Sequence, residues 1–183
     1  GKEEQFVSVL EDTVREWTPD RRIRLGDEVD RETTQRILRL DPELNRLYIA
    51  RIAETDDQPG VLQVVDPISR RVNHRVLVGG APTDLVFTDK AIHVANFDSG
   101  TVTVVDRKDF TRRDIPVGRE PLKLAAAGGN VLVLHHGERA LGVIDTSGNF
   151  RTIEIPGSGR LDNLAVVDQH AILTSHSPTA LEI

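Results

Sequence analysis

Histidine side chains stand at matching places in the second half of the sequence, and neutral imidazole is the commonest side-chain ligand for transition metals. His135 and His136 follow one apolar run, and His176 follows the corresponding run further along the chain. The sequence contains no Cys, so thiolate ligands and thiolate nucleophiles are excluded. We interpret His135, His136 and His176 as candidate ligands for copper or another transition metal, with further ligands outside this chain. The alternative is that they are polar loop residues on a solvated surface.

Four further polar residues are expected on the same surface as these histidines. They follow the second or the fourth strand-like run of a repeat, and in an antiparallel meander those two ends meet at one edge of the sheet. Polar side chains on loops at such an edge are typical of binding surfaces. The candidate binding residues are Asn96, Arg119, Lys123 and Arg160.

Other ionisable residues are better explained by local structure. Asp66, Asp106 and Asp145 each end a strand-like run, where an Asp side chain accepts hydrogen bonds from the backbone of the following turn. His93 is expected to be a packed or half-exposed residue within a strand, and the pair Arg112-Arg113 to be exposed on an outer strand.

One acidic run and several absent motifs bear on other kinds of chemistry. The run Glu54-Thr55-Asp56-Asp57 offers the oxygen ligands that Ca²⁺ prefers, but it lacks the alternating spacing of an EF-hand loop. A solvated acidic turn is therefore the favoured interpretation. The sequence has no Gly-rich phosphate loop, Gly-x-Ser-x-Gly motif or His-Glu-x-x-His motif, and no spacing of Ser, His and Asp indicates a catalytic triad.

The elements that must position these residues recur at a regular period. The run 62–66 returns as 102–106 and as 141–145, so that the closing Asp residues lie 40 and 39 positions apart. Each copy is followed by a polar turn, a second Val-, Ile- or Thr-rich run, a loop with Gly or Pro, and two further apolar runs. Four short strands in a repeat of this length indicate a β-propeller blade.

The sequence therefore predicts an all-β fold, a β-propeller of four-stranded antiparallel blades with about four blades present. We assign one domain: residues 1–32 form the irregular end of a blade, 33–80, 81–120 and 121–160 form full blades, and 161–183 form an incomplete blade. Because the sequence starts and stops inside blades and has no Met, we expect it to belong to a larger propeller. The alternative is a closed ring of four blades in which the two ends of the chain complete one shared blade.

Residues 81–121 resemble the YVTN family of β-propeller repeats. The matching segments are Pro82, Ile92-His93-Val94-Ala95-Asn96, Ser99-Gly100, 101–106 and Ile115-Pro116-Val117-Gly118. Residues 45–51 form a second copy of the Tyr-Val-Ala-Asn strand, whereas Leu134-His135-His136 departs from its usual Ala-Asn ending. The resemblance covers about residues 33–183 and implies a propeller of about seven blades in a periplasmic or extracellular protein. It implies no activity, because such repeats occur in surface-layer proteins, in orphan periplasmic propellers and in larger enzymes that carry haem or copper.

Net charge and hydrophobicity indicate which kinds of partner the chain can bind. The chain has 183 residues and a formal net charge of −6, which argues against nucleic acid, and no apolar run is long enough to span a membrane. We expect a non-catalytic extracytoplasmic propeller that binds or scaffolds another protein chain, or the rest of the same propeller, through its loops. One alternative is the propeller part of a His-ligated metalloenzyme with oxidoreductase activity. A weaker one is a propeller-type sugar-lactone or polysaccharide hydrolase, for which the only acidic residues at inner-strand starts are Asp84 and Asp162.

Overall fold

The computed structural model describes residues 6–8, 22–24, 36–52, 58–168 and 170–176, and these form strands and turns. The acidic run Glu54-Thr55-Asp56-Asp57 lies outside the described residues. No helix in the described part of the chain is long and apolar enough to cross a membrane. The strands are β1 (Phe6–Ser8), β2 (Arg22–Arg24), β3 (Arg36–Asp41), β4 (Arg46–Arg51), β5 (Val61–Asp66), β6 (Arg71–Leu77), β7 (Pro82–Phe87), β8 (Ala91–Asn96), β9 (Thr101–Asp106), β10 (Arg112–Pro116), β11 (Pro121–Ala127), β12 (Asn130–His135), β13 (Ala140–Ile144), β14 (Phe150–Glu154), β15 (Arg160–Val167) and β16 (His170–His176).

Consecutive strands pair as antiparallel meanders. Strands β3–β6, β7–β10 and β11–β14 form three four-stranded sheets, which we call blade 1, blade 2 and blade 3. Strands β15 and β16 pair with each other, as do β1 and β2. The prediction of an all-β fold built from four-stranded antiparallel blades is confirmed. The described sheets do not close into a ring.

The core lies between the blades because the sheets stack face to face. The second and third strands of each blade are buried along most of their length, as in β8 and β9, and they read as continuous apolar runs. The fourth strands β6, β10 and β14 are mostly exposed. One apolar cluster joins blade 1 to blade 2, a second joins blade 2 to blade 3, and a third joins blade 3 to β15 and β16.

One irregularity is repeated at the start of the first strand of successive sheets. The register shifts by one residue between Pro82 and Asp84, between Pro121 and Lys123, and between Leu161 and Asn163. The residue before each proline has a positive φ, 50° at Ala81 and 50° at Glu120. This β-bulge bends the first strand where it enters the sheet, so the loop before it reaches the end of the second strand. We call this side of the blades the loop edge.

Asp side chains build the turns on the opposite side, which we call the turn edge. Asp106 Oδ1 accepts hydrogen bonds from the backbone N–H groups of Lys108 and Asp109, at 2.7 and 3.3 Å. The same arrangement recurs at Asp66 and at Asp145. Hydrogen bonds that the carboxylates accept from the turn, first from the side chains of Ser69 and Asn149 and then from backbone N–H groups, lower the pKa of Asp66 and of Asp145. The prediction that these Asp residues serve turn structure is confirmed.

Candidate functional site

A cluster of polar side chains lies on the loop edge of blade 3, with His136 at its centre. His136 directly follows β12, and its Nδ1 atom lies 3.0 Å from Glu120 Oε2. Its Nε2 atom lies 3.2 Å from Arg160 Nη1. The ring of Phe97, from the matching position of blade 2, packs against the imidazole with centroids 5.8 Å apart. A neutral His136 that carries its proton on Nδ1 donates to the carboxylate and accepts from the guanidinium, so it satisfies both contacts.

Further charges extend this cluster in both directions along the edge. Arg119 Nη2 lies 3.9 Å from Glu120 Oε1, and Arg160 Nε lies 3.2 Å from Asp162 Oδ1. The side chain of Arg119 is 87% exposed and that of Arg160 is 53% exposed. Cationic and anionic side chains therefore alternate along the exposed edge from the end of blade 2 to the start of β15. We call these five residues the loop-edge cluster: Arg119, Glu120, His136, Arg160 and Asp162.

Lys123, another of the predicted binding residues, lies inside β11 beside this cluster. It is the first residue after the bulge and pairs with Leu134 of β12. Its side chain is half-buried. The structure therefore places Lys123 next to the loop edge on the first strand of blade 3.

Asn96 ends β8, and its side chain is fully buried rather than exposed on the loop edge. Its Nδ2 donates to Thr101 Oγ1 at 3.1 Å and to Thr103 Oγ1 at 2.9 Å. Thr103 also accepts from the backbone N–H of Gly79 and donates to Asp114. Gly79 lies so close that an added Cβ would stand 2.7 Å from Asn96 Cβ. The side chain thus ties the end of the second strand to the loop that enters its blade.

His135 occupies the position in blade 3 that Asn96 occupies in blade 2, and it too is buried. Its Nε2 donates to the carbonyl oxygen of Val117 at 2.8 Å. Burial lowers the pKa of His135, which keeps the ring neutral near neutral pH. His135 therefore joins blade 3 to the loop that leaves blade 2, and its ring is directed inward, away from His136.

The third predicted ligand, His176, ends β16, and its backbone pairs with Arg160. The side chain of His176 lies outside what the structure describes. Among the described residues, no three His, Asp or Glu side chains are grouped so that they could hold a metal ion. Both nitrogens of His136 already have partners. The metal assignment of His135, His136 and His176 stays a prediction.

Asp84 lies near the start of β7 and is shared by three blades. Its Oδ1 accepts from Arg39 Nη2 of blade 1 at 2.9 Å, and its Oδ2 accepts from the backbone N–H of Leu124 of blade 3 at 3.0 Å. The carboxylate is buried. Because both oxygens have donors, the structure shows Asp84 as a contact between blades rather than as an acid that faces a substrate.

The sequence places Glu120 on the loop edge but contains no sign that it contacts His136. That contact depends on the positive φ of Glu120, which turns the loop so that His136 N–H also donates to the Glu120 carbonyl oxygen at 2.8 Å. The equivalent bond in blade 2 joins Phe97 N–H to the carbonyl oxygen of Ala81 at 2.9 Å. The backbone is the same in both blades, and only blade 3 carries a carboxylate there.

Comparison with known proteins gives fold relatives but no family. No protein-family model matches the chain, and no curated protein matches it. Hydrazine synthase from Kuenenia stuttgartiensis is 25% identical over 64% of this chain and 34% of its own, with a TM-score of 0.55. Dihydro-heme d1 dehydrogenase NirN, in complex with DHE, is 16% identical over 86% of this chain and 36% of its own, with a TM-score of 0.62. Streptogramin B lyase is 12% identical over 75% of this chain and 47% of its own, with a TM-score of 0.57.

The chain spans about a third of the length of the first two of these proteins. The blades of this chain are therefore arranged as in β-propeller proteins, and the likeness below 25% identity concerns the fold alone. Fold does not determine activity, because propellers serve both as enzymes and as binding modules.

Proposed function

We propose that this chain is part of an extracytoplasmic β-propeller that binds a protein partner through its loop edge, without catalysis. The observation that carries this proposal is the loop-edge cluster, in which two exposed guanidinium groups stand beside two carboxylates along one surface. Arg is enriched in protein interfaces because its planar group makes paired hydrogen bonds with carboxylates. We therefore expect the partner to present acidic side chains to Arg119 and Arg160.

The geometry of the cluster favours binding because its members hold each other in place before a partner arrives. His136 is fixed by Glu120, by Arg160 and by the ring of Phe97. A surface that is already ordered loses less conformational entropy on binding than a flexible one. The side chain of Arg119 is largely exposed, so most of its N–H donors are free to bind a partner.

The test is capture of partners by the purified full chain from an extract of the cells that make it. The double variant Arg119→Glu/Arg160→Glu reverses both exposed cations, and we expect it to retain less than about a tenth of the captured partner. The control is Arg71→Glu/Arg151→Glu, which reverses two exposed cations on the outer strands β6 and β14. Equal capture by the wild type and the loop-edge variant contradicts the proposal.

We further propose that the chain belongs to a larger YVTN-type propeller in the periplasm or outside the cell. The motif residues 92–96 and 101–106 support this, because they form the buried second and third strands of blade 2. The remainder of such a ring would cover the faces of the sheets that the described residues leave open. The mass of the native full-length product tests this, because a ring of about seven blades needs roughly one and a half times the length of this chain.

The alternative function is a metal site completed by residues outside this chain. The observation in its favour is register: Arg160, whose guanidinium contacts His136, pairs along the backbone with His176. This alternative predicts that the intact protein holds a stoichiometric transition metal and that His136→Ala/His176→Ala removes it. Elemental analysis of both proteins decides, since a metal content of zero or an unchanged content excludes the site.

A further inference from the structure

A cleft of about 690 Å³ opens at the turn edge between blade 2 and blade 3, on the side opposite the loop-edge cluster. Its volume lies within the usual range of small-molecule binding sites. Blade 2 contributes the turn after β7 and parts of β8, β9 and β10, whereas blade 3 contributes the turns at 127–129 and 144–146. Two separate sheets therefore form the walls of the cleft.

His93 lines this cleft from the middle of β8. The residue is 7% exposed, and its Nδ1 atom is buried without a hydrogen-bond partner in the part of the chain that the structure describes. A buried polar atom without a partner is unfavourable. Because it lies in the wall of a cleft, His93 is a candidate hydrogen-bonding residue for a molecule bound there.

Arg113 lines the same cleft, and its side chain forms no hydrogen bond or ion pair with a described residue. Its neighbour Arg112, by contrast, donates to the carbonyl oxygen of Leu77 at 2.6 Å and pairs with Asp114 at 3.2 Å. The guanidinium of Arg113 packs on Gly148 of blade 3, where an added Cβ would lie 2.6 Å from Nη2. An unpaired guanidinium held against backbone suits a carboxylate, which it can bind through two parallel hydrogen bonds.

The acidic side chains around the cleft are directed mainly into their own turns. Asp145 Oδ1 accepts from the backbone N–H groups of Ser147 and Asn149, and Asp145 Oδ2 accepts from Asn149 Nδ2. Asp106 uses Oδ1 in the same way, and Asp89 is exposed. The rest of the lining mixes apolar side chains, such as those of Phe87 and Ala127, with polar ones, such as those of Lys90, Thr111 and Arg112.

We infer that the cleft between blades 2 and 3 binds a small organic carboxylate with a compact apolar body. The carboxylate group pairs with the guanidinium of Arg113, and the apolar body lies on the partly exposed side chains of Phe87 and Ala127. His93 faces the bound molecule and makes its missing hydrogen bond there. This site is separate from the loop-edge cluster, so either proposal can fail without the other.

The experiment is a titration of the isotope-labelled full chain with phenylacetate, followed by NMR. We expect the amide signals of Gly128, Gly129 and His93 to shift, because these residues line the cleft. Arg113→Gln should weaken this binding by about tenfold or more, since it removes a charge-assisted hydrogen-bond donor. His93→Gln should weaken it as well while Arg113 is intact.

Two further probes test the chemistry of the ligand. Phenethylamine keeps the ring and reverses the charge, and inorganic phosphate is an anion without an apolar body, so neither should shift these signals. The matched control Arg71→Gln, on the exposed strand β6 of blade 1, should bind phenylacetate like the wild type. The inference is overturned if phenylacetate leaves the cleft signals unchanged, if Arg113→Gln binds as tightly as the wild type, or if phosphate or phenethylamine binds as well.

Discussion

The imidazole of His93 is a buried group whose pKa is strongly shifted. Burial, together with the charge of Arg113, lowers the pKa of His93 from 6.5 to about 4. The folded chain thus holds a neutral imidazole at a pH at which the unfolded chain binds a proton. The free energy of unfolding must therefore fall as the pH falls from about 6.5 towards about 4.

We predict that lowering the pH from about 7 to about 5 costs the wild type about 2 kcal/mol through His93 alone. His93→Gln should lose that part of the pH dependence. His135, whose pKa burial also lowers, acts in the same direction and is present in both proteins. Urea unfolding at both pH values measures the difference. Identical pH dependence in the two proteins would show that His93 does not titrate this way.

Some residue roles can be predicted from the sequence because they are local. In their turns, Asp106 and Asp145 accept hydrogen bonds from backbone N–H groups only a few residues later in the chain, so no distant part of the fold is needed. The burial of Asn96 and His135 cannot be predicted in this way, because the loops that cover them, at Gly79 and Val117, come from the preceding blade. Because Asn96 and His135 lie at strand ends, the sequence suggested that they are surface residues, whereas both are buried in the fold.

At the scale of elements, a buried ion pair joins the turns of blades 1 and 2. Arg107 Nη2 donates to Asp41 Oδ2, and Arg107 Nη1 donates to the carbonyl oxygens of Thr88 and Asp89. Both charged side chains are almost completely buried. We expect Arg107→Met to destabilise the fold by about 3–5 kcal/mol, because it leaves the carboxylate of Asp41 buried without its cation.

Lys108→Met is the matched control for that experiment, since Lys108 is the exposed neighbour of Arg107. Its effect on the free energy of unfolding should stay within about 0.5 kcal/mol. Thermal and urea unfolding of both variants provide the measurement. Similar losses for the two substitutions would mean that the ion pair does not hold the blades together.

Gly142 in β13 lies directly beneath the ring of Phe150. An added Cβ would stand 2.6 Å from Phe150 Cε2 and 3.1 Å from Val133 Cβ. We predict that Gly142→Ala lowers the free energy of unfolding by about 1–3 kcal/mol through overpacking. Gly80→Ala is the control, because its Cβ would meet only the exposed Ser99 and Asp98, at 3.3 and 3.6 Å. An equal effect at both glycines would contradict this account of the packing.

Strand positions could be predicted from the sequence better than the contacts between blades. The repeated apolar runs mark β5, β9 and β13, since an Asp that starts a turn ends β5 and β9 and directly follows β13. The cleft at the turn edge has no such signal. Its walls come from positions as far apart as Phe87 and Thr146, and only the stacking of two blades brings them together.

At the scale of the whole molecule, burial is concentrated in the second and third strands of each blade. We predict that the backbone amides of β8, β9 and β12 exchange with solvent water more slowly than those of the outer strands β10 and β14. Hydrogen exchange followed by mass spectrometry of peptides measures this order. Equal protection of β12 and β14 would contradict a core located between the blades.

The number of blades in the ring and the angle between them are the parts of the fold that are hardest to predict from the sequence. A period of 40 and 39 residues predicts a stack of similar sheets. The number of blades in a ring depends on the small angle between neighbouring sheets, and that angle follows from side-chain packing such as that around Ala95 and Leu124. No sequence pattern reports such an angle.

Asp84 links three blades, and this link affects how the chain responds to a pulling force. A single buried carboxylate receives donors from Arg39 of blade 1 and Leu124 of blade 3, while it belongs to blade 2. If the chain is pulled from its two ends, blade 2 cannot detach without breaking contacts on both sides. We therefore expect the three blades to rupture under tension in one extension step, rather than to unravel one repeat at a time.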